Sequence, residues 1–445
     1  MVIPTLPSDI ITNILSRLPS KTLIRFKSVS KQWYSIINSP YFINLHLSQT
    51  LISDNYPNLI TCKDTLFSSP ISDNYPHKNR FVQRILGSIN GVLSLFSSSS
   101  SISDDHTNPN FHFSKLDHHY KHRFFRILGS INGVLCISLS DHRSVVLCNP
   151  STKTHHLIPP FTPSPYTNLQ CQEIKESPGH DGNPVNILFN IVVYGFGFDS
   201  VTRDYKPVRM IETREDNVTV YRESSVYSLK NDSWKCVNDQ TLLGQFFLQK
   251  DRVVFVNEVL HFIVVDTTDH KLKIKCFNLK TETFSIFDLP MMLDDRFSLM
   301  MSSYFRELGG CFSVFVNYQK FLEGLEQADL WVMKEYGNEE SWFRLFCISD
   351  PAMLYGFSRV RSCVRAVVYS KDKKRVLLEF NNGSSFCWYS WGNNTFERIT
   401  VHGWPYGDYA EPYKSCFTWT FLDSLVLLGK DKSVGKNRAK EEKNK

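Results

Sequence analysis

The side chains best suited to chemistry are the histidines His106, His112, His118, His119, His122, His155 and His156, interleaved with Asp104, Asp105 and Asp117. Imidazoles and carboxylates ligate zinc and other transition metals, but a metal site needs them at fixed spacing on ordered backbone. Here the intervals are irregular and the neighbours are mostly Ser, Asn and Asp, so a solvated loop is the favoured reading and no metal is expected. The run YGFGFD from Tyr194 to Asp199 offers a G-x-G. It lacks the third glycine and the helix opening that a dinucleotide pyrophosphate requires. No G-x-x-x-x-G-K-[ST], H-E-x-x-H or G-x-S-x-G occurs. No catalytic residue and no cofactor is assigned, and the expectation is a chain that binds and does not catalyse.

The other chemical signals are equally bland. The 11 cysteines include no C-x-x-C pair and sit mostly in apolar runs, where a reduced thiol acts as a small core residue. N-x-[ST] matches fall at Asn217, Asn231, Asn382 and Asn393, and without a secretory signal they are expected to stay unmodified. The opening MVIPTLPSDI has neither a basic start nor a long apolar stretch, and no later run reaches the ~18 apolar residues of a membrane span. The cytosol, the nucleus or both are therefore the expected location. The formal charge is +6, but residues 430–445 carry seven basic side chains against three acids, leaving a nearly neutral body. Such a body is a poor candidate for tracking a phosphate backbone, so no nucleic acid partner is expected. The tail at 429–445 reads as disordered and solvated, with nuclear import as the competing reading.

Positioning elements differ between the start and the rest. Ile10, Ile11, Ile14, Leu15 and Leu18 recur at helical intervals, which predicts an amphipathic helix from about Pro7 to Arg17, ended by Pro19. Ser20 is placed to cap a second helix through Leu23, Ile24 and Phe26. Ser28 or Ser30 is placed to start a third through Trp33, Ile36 and Ile37, stopped at Ser39-Pro40. Three short helices in roughly 40 residues cannot bury their apolar faces among themselves, so a partner surface is the physical expectation. The adhesive face would comprise Leu6, Pro7, Ile10, Ile11, Ile14, Leu15, Leu18 and Pro19.

The segment L-P-x-D-I-I-x-x-I-L-x-R-L-P-x-K-x-L-x-R-F-K-x-V-S-K-x-W, from Leu6 to Trp33, resembles the plant F-box. That resemblance implies docking on a Skp-family adaptor through Leu6, Pro7, Ile10, Ile14, Leu15, Leu18, Pro19, Leu23 and Val29, although individual side chains could instead face the domain interior. Trp33 and Phe26 are read as core.

From residue 51 to 122 the chain is rich in Ser, Asn, Asp and His and reads as loops. It holds a duplication: RILGSINGVL occurs at 84–93 and again at 126–135, the second copy being expected to form the native strand. Beyond it, a motif of strand, polar turn and aromatic or apolar strand returns in VLCNPSTKTHHLIP (146–159), VYSLKNDSWKCV (226–237), CFNLKTETFSIFDLP (276–290), LWVMKEYGNEESWFRLFCI (330–348) and CWYSWGNNTFERITV (387–401). Further hairpins are predicted at 253–265, turning at Asn257-Glu258, and at 376–390, turning near Asn382-Gly383. About four strands per ~50 residues is the texture of propeller blades, with a twisted β-sandwich of hairpins as the alternative. Only one Gly-Gly doublet occurs, Gly309-Gly310, and no WD-type pairing recurs, so an irregular or incompletely closed ring is allowed.

YGFGFDSVTRDYKPVRM (194–210), with NPSTK at 149–153 and VVYSKDKKRVLLEFNN at 367–382, resembles the plant F-box-associated domain. Its local content is a hairpin whose polar turn would expose Arg203 and Asp204. The chain thus reads as an α+β multidomain protein: a three-helix F-box (1–50), a linker and insertion (51–122), a large all-β, propeller-like F-box-associated domain (123–428), and the basic tail. The resemblance implies a substrate-recognition subunit of an SCF ubiquitin ligase, with Skp adaptor, cullin and RING subunits as partners and an unidentified protein target. The competing readings are an F-box-tethered lectin-like or small-molecule module, with Trp404-Pro405-Tyr406 and 409–419 as a weak pocket candidate, and a non-degradative scaffold.

Overall fold

The computed structural model describes residues 6–52, 58–62, 66–70, 126–138, 145–161, 188–215, 218–239, 246–266, 272–289, 300–320, 324–349, 364–380, 385–399 and 418–428. The opening segment forms four helices: α1 (Ser8–Ser16), α2 (Ser20–Phe26), α3 (Lys31–Asn38) and α4 (Pro40–Ile52). The expectation of three is corrected because Pro40 stops α3 and also opens α4, where a fixed φ and a missing N–H suit the first helical position. Ser39 caps it, accepting from Phe42 N at 3.2 Å. Ser30 caps α3 as expected, accepting from Trp33 N at 3.1 Å. Ser20 does not cap α2: Pro19 holds that position, and the Ser20 hydroxyl donates to the Asp423 carbonyl at 3.1 Å.

Two strands follow, β1 (Asn58–Cys62) and β2 (Leu66–Pro70), inside a stretch expected to be loops. Five four-stranded antiparallel blades come next. Blade 1 holds β3 (Arg126–Ile131), β4 (Val134–Ser138), β5 (Val145–Asn149) and β6 (Thr154–Ile158). Blade 2 holds β7 (Leu188–Asp199), β8 (Asp204–Glu215), β9 (Val218–Ser228) and β10 (Ser233–Val237). Blade 3 holds β11 (Phe246–Val256), β12 (Val259–Asp266), β13 (Leu272–Asn278) and β14 (Thr283–Asp288). Blade 4 holds β15 (Met300–Leu308), β16 (Cys311–Lys320), β17 (Gly324–Met333) and β18 (Trp342–Ile348). Blade 5 holds β19 (Val364–Tyr369), β20 (Arg375–Phe380), β21 (Ser385–Ser390) and β22 (Thr395–Ile399). The last strand, β23 (Trp419–Phe421), pairs with β1, so both ends of the chain build a sixth, three-stranded sheet.

The innermost strands β3, β7, β11, β15, β19 and β23 touch in succession and return to β3, so the ring closes and no sandwich forms. The second copy of RILGSINGVL forms the β3–β4 hairpin, and the first lies outside the described residues. Each repeated sequence motif is the third and fourth strand of a blade with its turn. In every one of these turns a residue takes positive φ: Lys153, Asp232, Glu282, Gly337 and Asn394. Asn149 and Asn278 hold theirs by accepting from backbone N–H groups of Ser151 and Lys280 at 3.0 and 2.9 Å, which is why polar residues recur there. The Asn257-Glu258 turn is left-handed at both residues, as a tight hairpin demands.

Blades bury both faces against neighbours, so central strands such as β4 and β5 are apolar throughout without alternation. The core is accordingly a set of interblade layers. Leu330 and Phe346 of blade 4 meet Leu378 and Tyr389 of blade 5, while Leu59 of the sixth sheet meets Trp388. Cys136, Cys148, Cys276 and Cys387 are buried free thiols, and burial pushes each upward, Cys148 to about 12.

Candidate functional site

Helix α1 carries two apolar stripes. Ile11 and Leu15, four residues apart, are buried, and with Leu23, Ile37 and Phe42 they form the helical core, flanked by partly buried Leu18, Phe26 and Trp33. Ile10 and Ile14, also four apart, face outward at 47% and 52% exposure. Leu6 (57%) and Pro7 extend that stripe at its N-terminal end, and Val29 (59%) stands exposed in the α2–α3 turn. Gln32 donates to the Ser8 hydroxyl at 3.3 Å, setting the first turn of α3, and hence the adjoining turn with Val29, beside the start of α1. Pro19 is exposed at the other end. Of the nine residues singled out for docking, Leu6, Pro7, Ile10, Ile14, Pro19 and Val29 reach the surface; Leu18 is half-buried, and Leu15 and Leu23 lie in the interior.

The expectation that only a second protein could cover the helices is corrected for one face. α4 and the segment after β23 cover it, Leu425 joining the same core as Ile11 and Leu23. Around Leu425 the strap is held on both sides. Asp423 meets Lys21 Nζ at 3.2 Å on α2 and accepts from the Ser151 hydroxyl at 2.8 Å on blade 1. Fully buried Asn149 donates to the Ser424 and Val426 carbonyls at 3.2 and 2.8 Å. Sequence reasoning missed this strap, since DSLVLL has the pattern of one more strand.

The YGFGFD hairpin is a packing device. A Cβ at Gly195 would stand 2.9 Å from Leu260 and Val253, and one at Gly197 would overlap Leu279 and approach Phe255 to 2.9 Å, so both glycines let β7 press onto blade 3. Lys206 then reaches across to the Leu279 carbonyl at 2.9 Å and Glu282 at 3.1 Å, while pairing with Asp199 at 3.0 Å in its own blade. Arg203 is exposed at the tip, but Asp204 is not: it is buried, accepting from the Ser228 hydroxyl at 2.5 Å and Lys230 N at 3.0 Å, because it anchors the neighbouring turn.

Of the histidines, His156 lies 2.7 Å from the Tyr227 hydroxyl and 3.2 Å from Asp232, while His106, His112, His118, His119 and His122 fall outside the described residues. No group of three metal-ligating side chains occurs among the described residues. No described helix is long and apolar enough to cross a membrane. Trp404, Pro405 and Tyr406 also fall outside, whereas Trp419 stands in β23 beside the central channel.

Comparison with known proteins matches residues 3–45 to the F-box domain and residues 90–428 to the F-box associated beta propeller domain. The chain is 28% identical over 426 residues to F-box protein CPR1 of Arabidopsis thaliana, covering 90% of this chain and 86% of that protein. It is 25% identical over 392 residues to the F-box/kelch-repeat protein At3g23880 of the same plant, covering 88% of this chain and 89% of that protein. With four helices ahead of a closed ring of blades, and with both segments matched, the chain belongs to the plant F-box proteins that carry an F-box-associated β-propeller.

Proposed function

We propose that this protein is the substrate-recognition subunit of an SCF ubiquitin ligase: the F-box docks a Skp-family adaptor, and through it the cullin and RING subunits, while the propeller holds a protein target. The observation that carries this reading is the division of α1, whose Ile11 and Leu15 are sealed by the chain itself while Leu6, Pro7, Ile10 and Ile14 stay in water. An exposed apolar row of that kind on a small helical unit is a helix-docking surface. In this reading Leu6, Pro7, Ile10, Ile14, Pro19 and Val29 touch the adaptor, and Leu15, Leu18 and Leu23 support them from behind. The chain supplies no catalytic group. Ubiquitin transfer is promoted by holding a target lysine at high effective concentration near a charged enzyme. Buried free thiols agree with residence in a reducing cytosol or nucleus.

Co-purification of the full chain with a Skp-family adaptor tests the reading. Ile10→Asp with Ile14→Asp is expected to cut adaptor affinity by roughly thirtyfold or more, as loss of a single interface hot spot does. Its melting temperature should stay near that of the parent, since both side chains are exposed. An unchanged adaptor affinity would rule out this docking face. A target that accumulates on the chain only when the adaptor face is broken, or when proteasomal degradation is blocked, supports the ligase role; one indifferent to both favours a scaffold.

A further inference from the structure

Among the described residues the ring is shut by its shortest strand pairing. Strand β23 meets β1 over three residues only, Trp419 against Ile60, Thr420 against Leu59 and Phe421 against Asn58, whereas β7 and β8 pair over twelve. Without β23, β1 and β2 are a two-stranded hairpin, which is marginal at best in water. The apolar residues of this seam are shared with both neighbouring blades: Leu59 packs with Trp388 of blade 5, and Ile60 and Phe421 pack with Ile127 and Leu135 of blade 1. Trp419, Thr420 and the following Leu422 line the central channel of about 700 Å3, and Leu51 from the last turn of α4 lines it too.

The F-box holds that seam. Asp423, two residues after β23, joins three parts of the chain. Its Oδ2 accepts from Asn58 Nδ2 of β1 at 3.4 Å and lies 3.2 Å from Lys21 Nζ of α2, while its Oδ1 accepts from the Ser151 hydroxyl of blade 1 at 2.8 Å. Its carbonyl accepts from the Ser20 hydroxyl at 3.1 Å. Leu425 then enters the F-box core with Ile11 and Leu23. On the other strand, α4 ends at Ile52 and β1 begins at Asn58. Each strand of the closing pair is thus tied within six residues to the F-box, and peeling β23 from β1 either pulls Leu425 out of the helical core or carries the helices along.

We propose that the F-box helices and the sixth sheet open and close as one cooperative unit, so that docking of an adaptor on α1 tightens the ring seam and the channel wall that the seam builds. The coupling is a linkage: a partner that binds only the folded helices lowers the population of every opening in which those helices are lost. The cooperative unit stands on the contacts of Asp423 and Leu425 alone. Its control by an adaptor rests on the ligase reading, and the two arms of the test separate them.

The test is hydrogen–deuterium exchange of the purified full chain, read by mass spectrometry at α1 and α2 and at the seam peptides that hold Asn58–Ile60 and Trp419–Phe421. Ile37 is fully buried in the F-box core and makes none of the seam contacts. Ile37→Val is expected to speed exchange by about fivefold at the helices and equally at both seam peptides, the scale of one buried methylene group. Ile263→Val, at a buried position of blade 3, should leave helices and seam unchanged. Seam exchange that ignores Ile37→Val, or follows Ile263→Val as closely, overturns the proposal. A Skp-family adaptor at one hundred times its Kd is expected to slow helices and seam together, by about a hundredfold. Slowing confined to the helices overturns the coupling and leaves the ligase reading intact. An adaptor that slows neither region counts against the ligase reading, and the Ile37 comparison then decides the cooperative unit by itself.

Discussion

The Asp423 carboxylate lies 3.2 Å from the Lys21 ammonium, joining the strap that follows the last propeller strand to the second F-box helix. Both side chains keep substantial contact with water, so this ion pair contributes under about 1 kcal/mol. Leu425, two residues on, is 1% exposed and lies in the F-box core. The apolar residue carries most of the coupling, and the charged pair sets its register.

Leu425→Ala is therefore expected to destabilise by about 2–5 kcal/mol, the range for a buried leucine truncated to a cavity. Lys21→Ala should cost under about 1 kcal/mol. Urea unfolding followed by far-ultraviolet circular dichroism at helix and strand wavelengths checks this, and in the Leu425 variant the helices should melt ahead of the ring.

Gly197→Ala should cost about 1–3 kcal/mol by overpacking, since the added methyl overlaps Leu279 and stands 2.9 Å from Phe255. Gly392→Ala meets nothing within 4 Å. Its effect should stay within about 0.5 kcal/mol. Equal melting temperatures for the two variants would contradict the close approach of blades 2 and 3.

Lys206→Met leaves Asp199 (1% exposed) without its cation. A loss of about 3 kcal/mol is expected, the lower end for breaking a buried pair, because Thr202 and Val201 still donate to Asp199. Burial pushes the Asp199 carboxyl upward, but hydrogen bonds from Thr202 and Lys206 outweigh it and hold the group below its ordinary value. A lowered carboxylate contributes stability that is present above its unfolded value and lost as pH falls through the folded one. The parent should lose this contribution below about pH 4, and the Met variant should lose less there, as equilibrium melts at graded pH would record.

His261 is fully buried, with Nδ1 3.1 Å from the Val254 carbonyl and Nε2 2.9 Å from the Tyr336 hydroxyl. Nδ1–H donates to the carbonyl and Nε2 accepts from the phenol, an arrangement that needs the neutral ring. Burial outweighs the backbone hydrogen bonds and pulls the group from 6.5 to about 4. A lowered imidazole favours folding above its unfolded value, and that contribution is lost as pH falls from 6.5 toward 4. Stability should decline across this window at up to ~1.4 kcal/mol per pH unit, and His261→Gln should flatten the slope.

Much of the architecture was legible because its causes are local. The spacing of Ile10, Ile11, Ile14 and Leu15 marks a helix, and the polar turns around Lys153, Asp232, Glu282 and Asn394 mark hairpins that need a left-handed residue. The reading erred where one residue type fits two roles. Pro40 ends one helix and begins the next, Asp204 looks like a turn tip and is an anchor, and Asn58–Cys62 is a short apolar run set in a polar stretch, whose strand is completed by a partner more than 350 residues away.

By itself the sequence determined periodicity, turn chemistry and the number of repeating hairpins, since each depends on backbone preferences within a few neighbouring residues. Only the tertiary structure decided which stripe of α1 remains in water, which segment covers the other, and that Arg126, Arg306 and Arg365 line one channel. Those outcomes rest on contacts such as Ser20 with Asp423, 403 positions apart. A free-energy gain of that kind exists only once the ring has closed and brought the chain's two ends together.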